Sequence, residues 1–285
     1  MEQVRKSFQT LWNNWILVVP IFLTRVIPAL LSIYIFSEMS GELINMLSVE
    51  EIGETQYVLE NYGAVAREFF QVNRGYIMAS IFVGVLGLIL NFIAVPATFG
   101  MIKKQLVSKE KTGFSDVFPA AGKYFVKYFL YRISKLALWI FVFLISMILL
   151  IAGAFLGSLV DEGMALLIVL LLAFVILIGG TVLHLILKLW FPAMILGGVG
   201  VLDGLKEAFR KSRVCFWPLL AGVLTVRIIA WISNMFVDML LGDIAYLGTL
   251  LINIIPSIAT VTLLVFYLRL YLETAKDLVN SEVSG

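Results

Sequence analysis

Six stretches of this chain, residues 15 to 36, 75 to 102, 136 to 160, 164 to 190, 216 to 241 and 245 to 270, are long and almost wholly apolar. At about 1.5 Å of rise per residue, 18 or more such residues cross a hydrocarbon core of roughly 30 Å. A water-soluble fold has no place to hide them. Hydrophobic residues make up 61% of the chain and charged ones 14%, against nearly half and about a quarter in ordinary globular domains. A lipid-exposed span must satisfy its own backbone hydrogen bonds, so each stretch is expected to be a helix. The expected fold class is all-α: a polytopic membrane protein with six transmembrane helices in a single membrane domain, residues 1 to 285.

Charge sorts by loop. Of the 21 Lys and Arg residues, 17 fall on one side of the six stretches, Arg67 and Arg74 fall on the other, and Arg25 and Arg227 lie inside the stretches. Loops rich in Lys and Arg are retained on the cytoplasmic side, which predicts both termini in the cytoplasm. The expected location is the cytoplasmic (inner) membrane of a prokaryote, crossed several times. Arg5 and Lys6 precede the first apolar run as they would in a secretory signal, but the run is too long and has no small-residue cleavage site, so it reads as a retained helix.

The basic side carries amphipathic stretches at residues 2 to 14, 113 to 135 and 203 to 215, each leading into a pair of spans. In GKYFVKYFLYRISK, residues 122 to 135, charges alternate with Tyr and Phe at helical spacing, which suits a helix lying among anionic headgroups. Lys123, Lys127 and Arg132 are the headgroup-facing candidates there, and Lys206, Arg210, Lys211 and Arg213 are their counterparts in the later stretch. The expected partner is membrane lipid, anionic on the cytoplasmic face, with a partner membrane protein or a second copy of the chain as further expectations. Tethering between spans argues against nucleic acid.

Two spans return the chain to the side it left, so three parallel hairpin repeats are expected at residues 1 to 102, 113 to 202 and 203 to 275. At an offset of 202 residues, Trp15 meets Trp217, Leu17 meets Leu219 and Arg25 meets Arg227. Apolar sequences also align by chance, so incidental similarity stands as the alternative. The segment from 37 to 74 is too long for a turn. Ser48 and Glu51 have the spacing of a capping box, and Ile52, Leu59, Tyr62, Val65 and Phe69 recur at helical intervals, predicting a helix on the outer face.

Arg25 and Arg227 are costly where they stand. Each lies ten residues beyond a tryptophan that marks the membrane interface, hence about 15 Å deep. Polar partners must compensate, and Asn91, Asn234, Asn253, Asp238 and Thr260 lie at suitable depths. With Arg25 and Arg227, the first four form the candidate polar site. One reading is a cavity that holds a phosphate or carboxylate by bidentate hydrogen bonding. The other is a pair of helix clamps. Asn91 and Pro96, Gly179 with Gly180, and Pro256 interrupt the even-numbered spans, as in transporter sites or in ordinary kinks. Gly153 and Gly157 have the spacing that lets two membrane helices approach closely.

Chemistry is thinly provided. His184 is the lone histidine and Cys215 the lone cysteine, with neither a zinc-type histidine pair nor a phosphate-binding glycine loop. No catalytic residue, metal site or cofactor is expected. His184 lies one turn from Lys188, where a proton-handling role competes with a carbonyl hydrogen bond for the imidazole and snorkelling for the lysine.

The segment LWFPAMILGGVGVLDGLKEAFRKSRVCFWPLL, residues 189 to 220, resembles the most recognisable stretch of a group of prokaryotic six-span membrane proteins. That group includes the membrane domain fused to some glycerophosphodiester phosphodiesterases and several uncharacterised relatives. The matching elements are Phe191 with Pro192, the helix Gly204 to Ser212, and Phe216 with Trp217. Gly197 with Gly198 and Ala208 stand where members of the group often carry an acid and a serine. The resemblance implies a fold and a membrane location and no activity. Physically, Pro192 is expected to stop or kink the fourth helix, and Asp203 to cap the next. Together these features describe a non-enzymatic membrane module that interacts with lipid or a partner protein. A permease or flippase for an anionic amphiphile is the alternative, and an intramembrane enzyme a weaker one.

Overall fold

The computed structural model describes residues 2–47, 67, 70–159, 161–241 and 245–283. Its helices are α1 (Glu2–Trp12), α2 (Val19–Leu47), α3 (Arg74–Lys103), α4 (Val117–Ser158), α5 (Glu162–Ile186), α6 (Trp190–Leu196), α7 (Val201–Leu241) and α8 (Ala245–Val283). There is no strand among the described residues, and six helices are long and apolar enough to cross a membrane. The predicted outer helix built on Ser48, Glu51, Ile52, Leu59, Tyr62, Val65 and Phe69 lies outside the described residues.

The spanning helices pack in the order α2, α3, α4, α5, α7, α8 and back to α2, which closes a ring, and α3 with α8 and α4 with α7 also touch across it. The three expected hairpins, α2 with α3, α4 with α5 and α7 with α8, are consecutive pairs in that ring. The seven-residue helix α6 packs on α4, α7 and α8, and Trp190 through Ile195 are all buried. Phe191 stacks edge-on to Phe99 and Tyr128, and Trp190 edge-on to Tyr131. The Trp190 indole donates to the Val201 carbonyl at 2.7 Å, satisfying its one polar group inside this packing. The protein-buried core thus gathers at the lysine-rich end. At mid-membrane, lipid takes over the role of core: the most apolar stretch of α5 has no residue buried against protein.

Helix boundaries depart from the sequence expectation where charge pattern was the guide. The stretch 2 to 14 does form a separate helix, α1, with Val4, Ser7, Thr10 and Leu11 buried along one face. Asn14 then breaks the chain with φ −151° and ψ 73°, followed by a 3₁₀ turn at Trp15–Val18. Its amide nitrogen, buried, donates to the Thr112 hydroxyl at 2.6 Å and to the Thr112 carbonyl at 3.2 Å. The stretches 113 to 135 and 203 to 215 are not separate interfacial helices. Residues 117 to 135 run straight into the third span as α4, because the one proline, Pro119, lies in the first turn and nothing beyond it interrupts the backbone ladder.

In α7 the join bends at Cys215, with φ −109° and ψ 18°. Pro218 explains the place: it lacks an N–H for the Val214 carbonyl and its ring crowds that oxygen. The fourth span ends at Ile186, earlier than expected, and the turn at Leu187 to Leu189 leads into α6. Pro192 sits in the first turn of α6, where a missing N–H costs no helical bond, so it starts a new helix after the break. Asp203 is not a cap, because α7 begins two residues before it. It lies in the first turn, where its charge complements the helix dipole.

Close approaches are carried by glycine. Gly153 and Gly157 of α4 lie against Leu172 and the Ala165 backbone of α5, so the predicted small-residue spacing does bring two helices together. Gly198 follows α6 with φ +69°, a conformation that a side chain resists, and redirects the chain into α7. The N-terminal helix α1 is tied to the later part of α8: Gln3 hydrogen-bonds Glu273, and Arg269 donates to the Thr10 hydroxyl at 2.6 Å.

Candidate functional site

Where α2, α7 and α8 meet, a cleft of about 370 Å³ opens. Arg25 reaches it from α2, Arg227 and Asn234 from α7, and Thr260 from α8. Arg227, Ala230 and Asn234 follow one another at i, i+3 and i+7, one face of a helix, and all line the cleft. Leu17 and Leu219 are both fully buried, and the two arginines eight residues beyond them share one cavity.

Arg25 is half-buried and donates Nη2 to the Thr260 hydroxyl at 2.7 Å. That hydroxyl in turn donates to the Pro256 carbonyl at 2.7 Å. The bonds form a short relay that orients the guanidinium and leaves most of its five donors unspent. Arg227 is exposed to the cleft and has no hydrogen bond or ion pair among the described residues. The Asn234 Oδ1 atom is buried without a donor. Two guanidinium groups within electrostatic range of one another repel. The apolar walls, from Ala230, Trp231, Ala259 and Leu263, strengthen that repulsion and equally the pull on an anion.

Three of the expected site residues are elsewhere. Asn91 is exposed on α3 and Asp238 is exposed near the far end of α7; neither lines the cleft. Asn253 turns its amide back to the Thr249 carbonyl of its own helix at 2.8 Å. Matching depth did not place them on the matching face.

The headgroup-facing set divides as well. Lys123, Arg132, Lys206, Arg210 and Arg213 are exposed. Lys206 and Arg210 pair along their own helix with Asp203 at 3.9 Å and Glu207 at 2.9 Å. Lys127 is half-buried and donates to the Met194 carbonyl at 3.3 Å, joining α4 to α6. Lys211 corrects the expectation: it is only 2% exposed. Its ammonium lies 3.4 Å from the Tyr271 ring centre and 3.6 Å from Glu207, so it fastens α7 to α8.

Lys103 and Arg269, not singled out from sequence, have similar roles. Lys103 donates to the Ile195 carbonyl at 2.7 Å and so ties α3 to α6. Neither the basic cluster around Lys103 nor the apolar run around Arg269 gave a sign of this. Cys215 is buried, its thiol donating to the Lys211 carbonyl at 3.2 Å. His184 packs against Trp139 with ring centres 6.2 Å apart.

The fold and this site define a class: an all-helical, six-span integral membrane protein with a cationic cleft inside its bundle. Comparison with protein-family models, with curated proteins and with solved structures finds no match to this chain.

Proposed function

We propose that this protein binds the anionic headgroup of an amphiphile in the cleft between α2, α7 and α8, as a non-enzymatic membrane protein. The observation that carries the reading is that Arg25 and Arg227 come from different helices to one cavity while Arg227 stays unpaired. An arginine in a span costs roughly 2.5 to 3.5 kcal/mol on insertion scales, and their mutual repulsion adds to that. A phosphate or carboxylate between them turns the repulsion into two charge-assisted contacts. A hydroxyl beside the anionic group would supply the donor that Asn234 Oδ1 lacks. The apolar walls suit an amphiphile better than a small hydrophilic ion.

Passage of the amphiphile across the bilayer is the second reading. Pro28, Pro218 and Pro256 interrupt the three helices that line the cleft, and freed carbonyls at such points give helices places to bend. The lysine-rich end is read as the cytoplasmic one, and a relationship to the six-span group named above would agree with the bundle. Native mass spectrometry of the purified protein with a membrane lipid extract tests the binding. Wild type is expected to retain an anionic lipid that the Arg25→Gln, Arg227→Gln double variant releases. Equal retention by a folded double variant rejects the cleft as the site.

A further inference from the structure

A second cluster of cations stands on α4. A groove of about 310 Å³ is lined by Phe92 of α3 and by Arg132, Ile133, Lys135, Leu136 and Trp139 of α4. Arg132 holds its Cζ 5.9 Å from the ring centres of both Phe92 and Tyr128. Such contacts fix the guanidinium through its face and leave its N–H groups free. Arg132 has no hydrogen bond or ion pair among the described residues. Lys135 sits 5.5 Å above the Tyr131 ring and donates to that residue's hydroxyl at 3.2 Å, which leaves two further donors.

The rest of the groove is apolar and has a direction. Ile133, Leu136, Ile140 and Phe143 are exposed and recur along one side of α4, running from the two cations into the lipid-facing part of the helix. A polar head with an attached hydrocarbon tail has this shape; a free anion has only half of it. Trp139, one turn beyond Lys135, stands at the junction as an amphipathic ring does at a headgroup boundary.

Lys188, half-buried in the turn after α5, lies within electrostatic range of Arg132, Lys135 and Arg227. In ring order, α4, the end of α5, α7 and α2 therefore carry Arg132 with Lys135, then Lys188, Arg227 and Arg25. None of the five has an acidic partner among the described residues.

We infer that the groove at Arg132 and Lys135 is a second headgroup site, which takes the phosphate of an anionic phospholipid with its acyl chain along Leu136 and Ile140. The site stands on its own residues.

The test is native mass spectrometry with two lipids of equal chain length, phosphatidylglycerol and phosphatidylcholine, added separately to the purified protein. Wild type is expected to retain two phosphatidylglycerol molecules and to release phosphatidylcholine. The Arg132→Gln, Lys135→Gln variant is expected to retain one fewer, whereas Arg132→Lys with Lys135→Arg, which preserves both charges, keeps the wild-type number. Unchanged retention by the glutamine variant overturns the groove site. Equal loss in the charge-preserving variant overturns it too, since the loss then follows packing and not charge. Displacement of the groove lipid by inorganic phosphate alone overturns the choice of a lipid. A cleft variant, Arg25→Gln with Arg227→Gln, that still holds both lipids rejects the cleft and leaves the groove standing.

Discussion

Arg25 and Thr260, 235 residues apart, meet across the α2 and α8 interface in a 2.7 Å hydrogen bond whose acceptor is itself held by the Pro256 carbonyl. Thr260→Val keeps the shape and removes the acceptor. The guanidinium then loses the hydrogen bond that orients it, at a cost of about 1 to 3 kcal/mol. Thermal unfolding in detergent is expected to show a lower midpoint, with weaker retention of anionic lipid in the cleft. A midpoint and a lipid count both equal to wild type would remove the relay from the account.

The α4 and α5 hairpin depends on the absence of a side chain at Gly157. A Cβ there would fall within the van der Waals surface of the Ala165 backbone, while one at Gly179 would meet nothing within 4 Å. Gly157→Ala is expected to destabilise by about 1 to 3 kcal/mol, the usual scale of overpacking. Gly179→Ala serves as the neutral control in the same unfolding experiment. If both variants behave alike, backbone contact does not hold this hairpin.

Lys211 and Arg213 are two residues apart on one helix and are expected to respond differently. Lys211 is buried over Tyr271 and beside Glu207, so Lys211→Ala loses a desolvated cation and ring contact worth about 2 kcal/mol. It also leaves Glu207 with one cation fewer. Arg213 is exposed, and Arg213→Ala should stay within about 0.5 kcal/mol of wild type. Comparable unfolding midpoints for the two would contradict the burial of Lys211.

Orientation across the bilayer is open to chemical labelling. Lys111 lies in the exposed loop at the lysine-rich end, and Asp161 in the exposed turn between α4 and α5. With Cys215→Ala as background, a membrane-impermeant maleimide should label Asp161→Cys in intact cells. It should reach Lys111→Cys only after permeabilisation, as the charge asymmetry requires. The reverse pattern would invert the protein in the membrane.

The six spans were legible in the sequence because hydropathy is a local property: a long apolar run needs no knowledge of its neighbours to be placed in lipid. That Arg25 and Arg227 stand within apolar spans was legible for the same reason, since it needs only their place in the sequence. Azimuth was not. Asn91, Asn253 and Asp238 have suitable depths, yet whether a residue faces a cleft depends on how its helix is rotated against others. Charge pattern likewise failed to distinguish Lys211, which caps the Tyr271 ring, from Arg213, which is exposed. A basic residue on an amphipathic stretch looks the same until a partner 60 residues away is in position.

What the sequence determined by itself, then, is the material of this protein: six apolar helices, and two arginines placed within them. The tertiary structure decided where those arginines meet. It also turned the segment from Trp190 to Ile195 into the packed centre of the lysine-rich end, filled by Phe99, Tyr128 and Tyr131 from other helices. Membrane insertion acts on each span against lipid, whereas a binding site is a relation among spans. Only the closing of the ring brings the cations of α2 and α7 to one cleft.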